Sequence, residues 1–143
     1  MPKTDIIMKT IRALALAGCL FGTVGAAPAA GPRILVIGHP LLALNADDVQ
    51  EIYLGDKQLA GSTKLVPVDN LSAQDEFLIL YVNLDAAKYR ARWIRKAFRD
   101  GLIAPPVRST DIEVIEFVKR TPGALGYVRS PAPTGVAVLG EKS

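Results

Sequence analysis

Pro122-Gly123-Ala124-Leu125-Gly126-Tyr127-Val128 follows an amphipathic segment, turns on Pro-Gly and enters a short apolar strand that contains a glycine. Pro-Gly is turn chemistry, because proline presets one dihedral and glycine accepts a positive φ. Glycine inside a strand packs no side chain and loses more chain entropy than other residues, so it marks close approach by a neighbour or a ligand. The stretch therefore predicts a helix, a tight turn and a strand in which something presses on Gly126.

The rest of the chain supports that unit with a recognisable order. Arg33–Ile37 is an apolar, β-branched run bounded by Gly38-His39-Pro40, which predicts a buried first strand. Asn45 is the expected N-cap of a helix that carries Val49, Ile52 and Tyr53 on one face and ends at Gly55. Asp56–Lys64 is a polar loop, and Leu65–Asp69 is a second strand whose Pro67 places it at an edge. Ser72, with Asp75 three residues on, is expected to cap the next helix, and Phe77–Val82 is apolar enough to be buried on most sides. Asp85–Arg99 is the clearest helix. Tyr89, Trp93, Ile94, Ala97 and Phe98 form the expected inner stripe, and Lys88, Arg92, Arg95, Lys96 and Arg99 the basic outer face. Thr110 and Glu113 form a capping box for a last helix with Ile112, Ile115 and Val118 inward, and a final strand covers Val136–Leu139. Strands separated by helices predict an α/β layer structure with crossover connections.

The first thirty residues are read separately. Lys9 and Arg12 flank an apolar run of about fourteen residues, Ala13 to Ala26, shorter than the ~20 needed to span a bilayer. Val24-Gly25-Ala26 and Ala27-Pro28-Ala29 both offer small residues for signal-peptide cleavage, so residues 1–30 are expected to be a signal peptide and 31–143 the domain. Either Met1 or Met8 serves as the start. Leu16-Ala17-Gly18-Cys19 also has the form of a bacterial lipobox, which leaves two readings open: a periplasmic or secreted protein, or a lipoprotein anchored through Cys19. Of 17 lysines and arginines, three fall in this segment with one of 14 acids, leaving 14 basic and 13 acidic residues. A nearly neutral domain argues against nucleic acid as partner. His39 is the single histidine, and no Ser/His/Asp set, P-loop or Gly-x-Gly-x-x-Gly occurs, so no metal, cofactor or enzyme activity is expected.

Several motifs, in register, resemble the phosphate-binding proteins of ABC importers. Ile52-Tyr53-Leu54-Gly55-Asp56 resembles the end of that family's first helix, and Val66-Pro67-Val68-Asp69 its strand before the ligand loop. Tyr89 and Trp93, Phe98, Pro105-Pro106 and the Pro122–Val128 stretch complete the order of a small secreted subfamily. The resemblance spans residues 33–139 and implies a single periplasmic-binding-protein-like lobe, a mixed sheet flanked by helices, in an exported solute-binding-protein-like domain. Its implied partner is a small phosphate-like anion. An envelope protein that uses the scaffold without phosphate is the alternative.

Two departures bear on function. About 113 residues make one lobe, where family members usually close two lobes over the ligand. The family's ligand loop carries an arginine and a Ser-Gly-Thr turn whose helix amides cradle the anion. Here the loop is Asp69-Asn70-Leu71-Ser72-Ala73-Gln74-Asp75-Glu76, with no arginine and two acids where phosphate would sit. Asp69, Asn70 and Ser72 remain the candidate ligand contacts by resemblance, each with a turn or cap role as the simpler reading. Gly38 and His39 join them from a strand end, where open α/β sheets place ligands. Gly126 joins them through its capacity for close approach.

Overall fold

A computed structural model describes residues 33–129 and 131–143. The expected signal peptide, Cys19 and the domain boundary at residue 31 lie outside the described residues. Strand β1 (Ile34–Gly38) lies between β7 (Ala124–Arg129) and β8 (Ala137–Lys142), antiparallel to both. Strand β4 (Val66–Pro67) runs parallel to β7 along the sheet's far edge, giving the order β4-β7-β1-β8 and a mixed sheet. The edge position suits Pro67, which has no N–H to give a further strand.

Alternation along the strands divides the core in two. Ile34 and Val36 of β1, with Leu125 and Tyr127 of β7, face one layer. That layer comprises α1 (Asp48–Tyr53), α2 (Gln74–Phe77), a π-helical turn (Leu78–Val82) and α3 (Ala86–Asp100). Leu35, Ile37, Ala124 and Val128 face α4 (Asp111–Arg120) through Val114 and Val118. Phe77 stacks on Tyr127 with ring centroids 3.7 Å apart and meets Tyr53 edge-on at 4.7 Å, so three aromatics centre the larger layer.

Several sequence expectations need correction. Asn45 does not cap α1. The helix starts at Asp48, whose carboxylate accepts the Asn45 N–H at 3.3 Å, so the side chain reaches backward instead of forward. The polar loop holds a small hairpin of β2 (Leu59–Ala60) and β3 (Thr63–Lys64). The second strand is split. After β4 the chain changes partners, and β5 (Asp69–Asn70) pairs in parallel with β6 (Val107–Arg108). Within Phe77–Val82 the expectation holds for Phe77, Leu78, Tyr81 and Val82, which are buried, while Ile79 is exposed. On α4, Thr110 Oγ1 accepts the Glu113 N–H as expected, but Ile112 points outward and Val114 takes its inner place.

The largest correction concerns α3. Its inner face carries Tyr89, Trp93 and Lys96, while Ile94 and Phe98 lie outside. Polar partners on the neighbouring elements decide this rotation. Trp93 Nε1 donates to Tyr53 O at 3.0 Å, Arg92 pairs with Asp56 at 2.9 Å, and Lys96 reaches both Asp56 and Gly55 O. Those cations hold the Asp56 carboxyl below its usual range, with the Lys96 hydrogen bond contributing most. Gly55 adopts φ +76°, the C′ conformation expected of it, and a Cβ there would lie 2.8 Å from the Trp93 ring.

Candidate functional site

The chain's change of partner at residue 69 builds the site. Val66 N donates to Gly123 O and Val68 N to Leu125 O, both at 2.9 Å, holding the strand against β7. One residue later Asp69 N donates to Pro106 O, and Leu71 N to Arg108 O, both at 2.8 Å. The backbone thus leaves the main sheet at the carboxyl end of β4, the kind of switch point at which open sheets place ligands.

Asp69 is buried there, 2% exposed, between two tyrosines. Tyr127 donates its hydroxyl to Oδ1 and Tyr89 its own to Oδ2, each at 2.8 Å. Desolvation pushes the Asp69 carboxyl up to about 6, against the opposing pull of hydrogen bonds from Tyr89, Tyr127 and Gln74. Burial first, and the Asp69 charge second, push both tyrosines well above their usual value. At neutral pH the tyrosines therefore donate and the carboxylate accepts.

Asn70 is fully committed. Its Nδ2 donates to Asp111 Oδ1 at 2.6 Å and to Tyr127 O at 2.9 Å. Its Oδ1 accepts from Ser72 N at 3.1 Å and Ser72 Oγ at 2.7 Å. That uses both amide hydrogens and both lone pairs of the side chain. Ser72 Oγ also lies 3.1 Å from Asp111 Oδ1, and Asp111 Oδ2 accepts the Arg129 N–H at 3.2 Å. Ser72 is consequently not a helix cap. Helix α2 starts after Ala73, and the Ser72 hydroxyl serves the loop instead. The first residue of α4 locks this loop to β7.

A cavity of about 260 Å³ opens over the network. Leu71, Trp93, Pro105 and Val107 form its apolar walls, and Asp69 and Arg90 are its charged members. The adjoining α2 brings Asp75 and Glu76; Glu76 pairs with Arg129 at 2.8 Å, which holds its carboxyl below the usual range. Asp69, Asp75, Glu76 and Asp111 outnumber the cations beside the loop, Arg90, Arg108 and Arg129, so the field there disfavours phosphate.

The structure brings Asp69, Asn70 and Ser72 together and separates the other candidates. His39 N donates to Ala124 O at 2.9 Å, at the start of β7, whereas Asn70 binds Tyr127 O near its end. Gly38 and His39 thus lie at the opposite end of the sheet. His39 Nδ1 accepts the Leu41 N–H at 3.2 Å, which shapes a turn. Gly126 is buried, and a Cβ there would lie 2.6 Å from Val114 Cγ1 and 2.9 Å from Val68 Cγ1. Its neighbour is α4, which packs on the strand because the glycine lets it. Among the described residues, no group of three or more His, Cys, Asp or Glu side chains is placed to hold a metal ion.

Sequence reasoning missed Tyr89, Tyr127 and Asp111 as parts of this site. The available signal was chemical: a buried tyrosine needs a partner for its hydroxyl. Nothing in the spacing names Asp69 as that partner. The motifs that carry the family resemblance turn out to touch one another. Gly55 packs on Trp93, and Asp69 accepts from Tyr89 and Tyr127.

No protein-family model matches the chain, and no curated protein matches it. Among solved structures, PstS from Borrelia burgdorferi matches 68% of this chain and 40% of its own length, at 18% identity and a TM-score of 0.51. This chain therefore spans about two fifths of that protein. The likeness is one of fold: a mixed sheet flanked by helices, consistent with a single periplasmic-binding-protein-like lobe.

Proposed function

We propose that this chain is an exported solute-binding-protein-like domain of the cell envelope, a recognition module rather than an enzyme. It resembles the substrate-binding proteins of phosphate ABC importers, but its ligand end holds small anions only weakly. One observation carries the reading. The side-chain polar groups of the loop that would grip phosphate are satisfied internally, through Asn70, Ser72 and Asp111. Recruiting them for a ligand would break hydrogen bonds that cost about 1–3 kcal/mol each to leave unmade. A single lobe also leaves one side of a small ligand in water, which limits affinity. Export rests on the leader-like residues 1–30 and on the fold likeness. His39, engaged in a turn far from Asp69, supports recognition over catalysis.

Thermal melting with phosphate, sulfate and small carboxylates tests the proposal. Any ligand of the native state stabilises by mass action, by about 2.7 kcal/mol at a hundredfold excess over Kd. The expected result is a rise in Tm only at millimolar anion; a rise at about 10 μM phosphate would overturn it. The closed loop also favours a second reading, an interaction or sensory module for an envelope protein. Complete indifference to every anion, with the fold intact, would select that reading.

A further inference from the structure

Helix α3 spans 15 residues, roughly 22 Å at about 1.5 Å per residue. Its outer face combines two properties that a solvated helix does not need together. Ile94 is 54% exposed and Phe98, one turn on, 91%. Around these apolar side chains stand Lys88, Arg90, Arg95 and Arg99, all exposed. Among the described ion pairs, only Arg99 has an acidic partner, its solvent-exposed neighbour Asp100. The remaining cations of the helix, Arg92 and Lys96, are held inside by Asp56.

We propose that this face docks on an anionic lipid bilayer, with Phe98 and Ile94 entering the headgroup layer and the arginines contacting lipid phosphates. The reading goes beyond the solute-binding function and does not depend on it. Charge selects the occupant. A second copy of the chain would bring the same cations face to face, and like charges repel. Shape supports a lipid surface over a rigid protein, because Phe98, 91% exposed, stands clear of its neighbours as a knob and not as the wall of a groove. Convex apolar knobs enter a deformable layer without needing a complementary pocket. Amphipathic faces with aromatic and aliphatic side chains beside Lys and Arg bind at this depth, and each cation near an anionic surface adds about 1 kcal/mol. Long Arg stems keep their charged ends in the headgroups while the neighbouring apolar groups go deeper. Outside α3 the domain from residue 31 carries eight basic and twelve acidic residues, so the attraction is confined to α3 and the rest of the domain is turned away from the bilayer. Such binding is weak and reversible, and it would orient the domain.

The test places a reporter on the face itself. Phe98→Trp in the full chain leaves the core untouched, and the buried Trp93 of the wild type supplies the baseline. The proteins are mixed with vesicles of phosphatidylglycerol and phosphatidylcholine containing brominated lipid. The account expects blue-shifted, quenched emission in the variant beyond the wild-type change. That difference should be absent with phosphatidylcholine alone and lost at about 1 M salt, where the Debye length is near 3 Å. Reversing Arg95 and Arg99 to Glu should raise the lipid concentration needed about tenfold or more. Because residues 1–30 are common to every variant, binding through them alone would leave the charge-reversed protein with the same lipid requirement as Phe98→Trp, and that result overturns the proposal. Equal quenching on neutral and anionic vesicles, or none on either, overturns the proposal. A blue shift on concentrating the protein without lipid assigns the face to a second copy and also overturns it. So does capture of an acidic envelope protein that Arg95→Glu abolishes while vesicles leave the emission unchanged.

Discussion

Around Asp69, a carboxylate, an asparagine and two tyrosine hydroxyls lie inside the molecule, each with a partner at hydrogen-bond distance. On the outer face of α3, Ile94 and Phe98 stand in solvent although burying such side chains is worth about 1.5–3 kcal/mol each. The two regions reverse the usual relation of polarity to exposure, for one reason. Helix α3 faces inward with the residues that find polar partners there: Tyr89 for Asp69, Trp93 for Tyr53 O, and Lys96 and Arg92 for Asp56. Satisfying that set leaves Ile94 and Phe98 of the apolar stripe outside. Polar character thus says little about which groups remain available to a ligand.

The largest break in this comparison should come from Asp69→Ala. It leaves the Tyr89 and Tyr127 hydroxyls buried without an acceptor, at about 1–3 kcal/mol each, and urea unfolding should report a loss of that order. Gly126→Ala should follow. Its methyl would lie 2.6 Å from Val114 Cγ1, and overpacking of this kind costs about 1–3 kcal/mol as α4 is pushed from the sheet. The same displacement should loosen Asp111 from the loop, visible as faster amide exchange at Ser72.

A pH series sharpens the contrast further. The folded Asp69 carboxyl titrates near 6, above its ordinary 3.8, so the folded state binds a proton more tightly than the unfolded state. Its contribution to stability is fully present below 3.8 and is lost as pH rises through about 6. Asp69→Asn should remove that slope, measured as the wild-type minus variant difference across this window. The smallest effect belongs to the outer face. Phe98→Ser should change stability by no more than about 0.5 kcal/mol in the same unfolding assay, because the side chain is already in solvent.

Much of the fold was legible because its signals are local. The β-branched run at β1, Gly55 at a helix C′, Thr110 before α4 and Pro-Gly before β7 each act through neighbours in sequence. The orientation of α3 was not legible, since Asp56 lies 40 residues from Lys96 and nothing in the helix announces it. The site divides in the same way. Asp69, Asn70 and Ser72 are contiguous and were found together. Tyr89, Asp111 and Tyr127 reach them across 20, 41 and 58 positions, and the fold alone joins them. Gly126 reads from its place in a strand as a point of close approach, and what approaches it is the Val114 and Val68 side chains.

The claim that the family's ligand loop is closed on itself can be tested at the loop. Amide chemical shifts of residues 69–77 should be followed by NMR while phosphate is added. The account predicts that these amides stay unmoved at micromolar phosphate, with the Ser72 N–H retained on Asn70 Oδ1 and slow to exchange. Saturating shifts centred on Ser72 to Phe77 at micromolar phosphate would contradict it and restore the loop as a phosphate cradle.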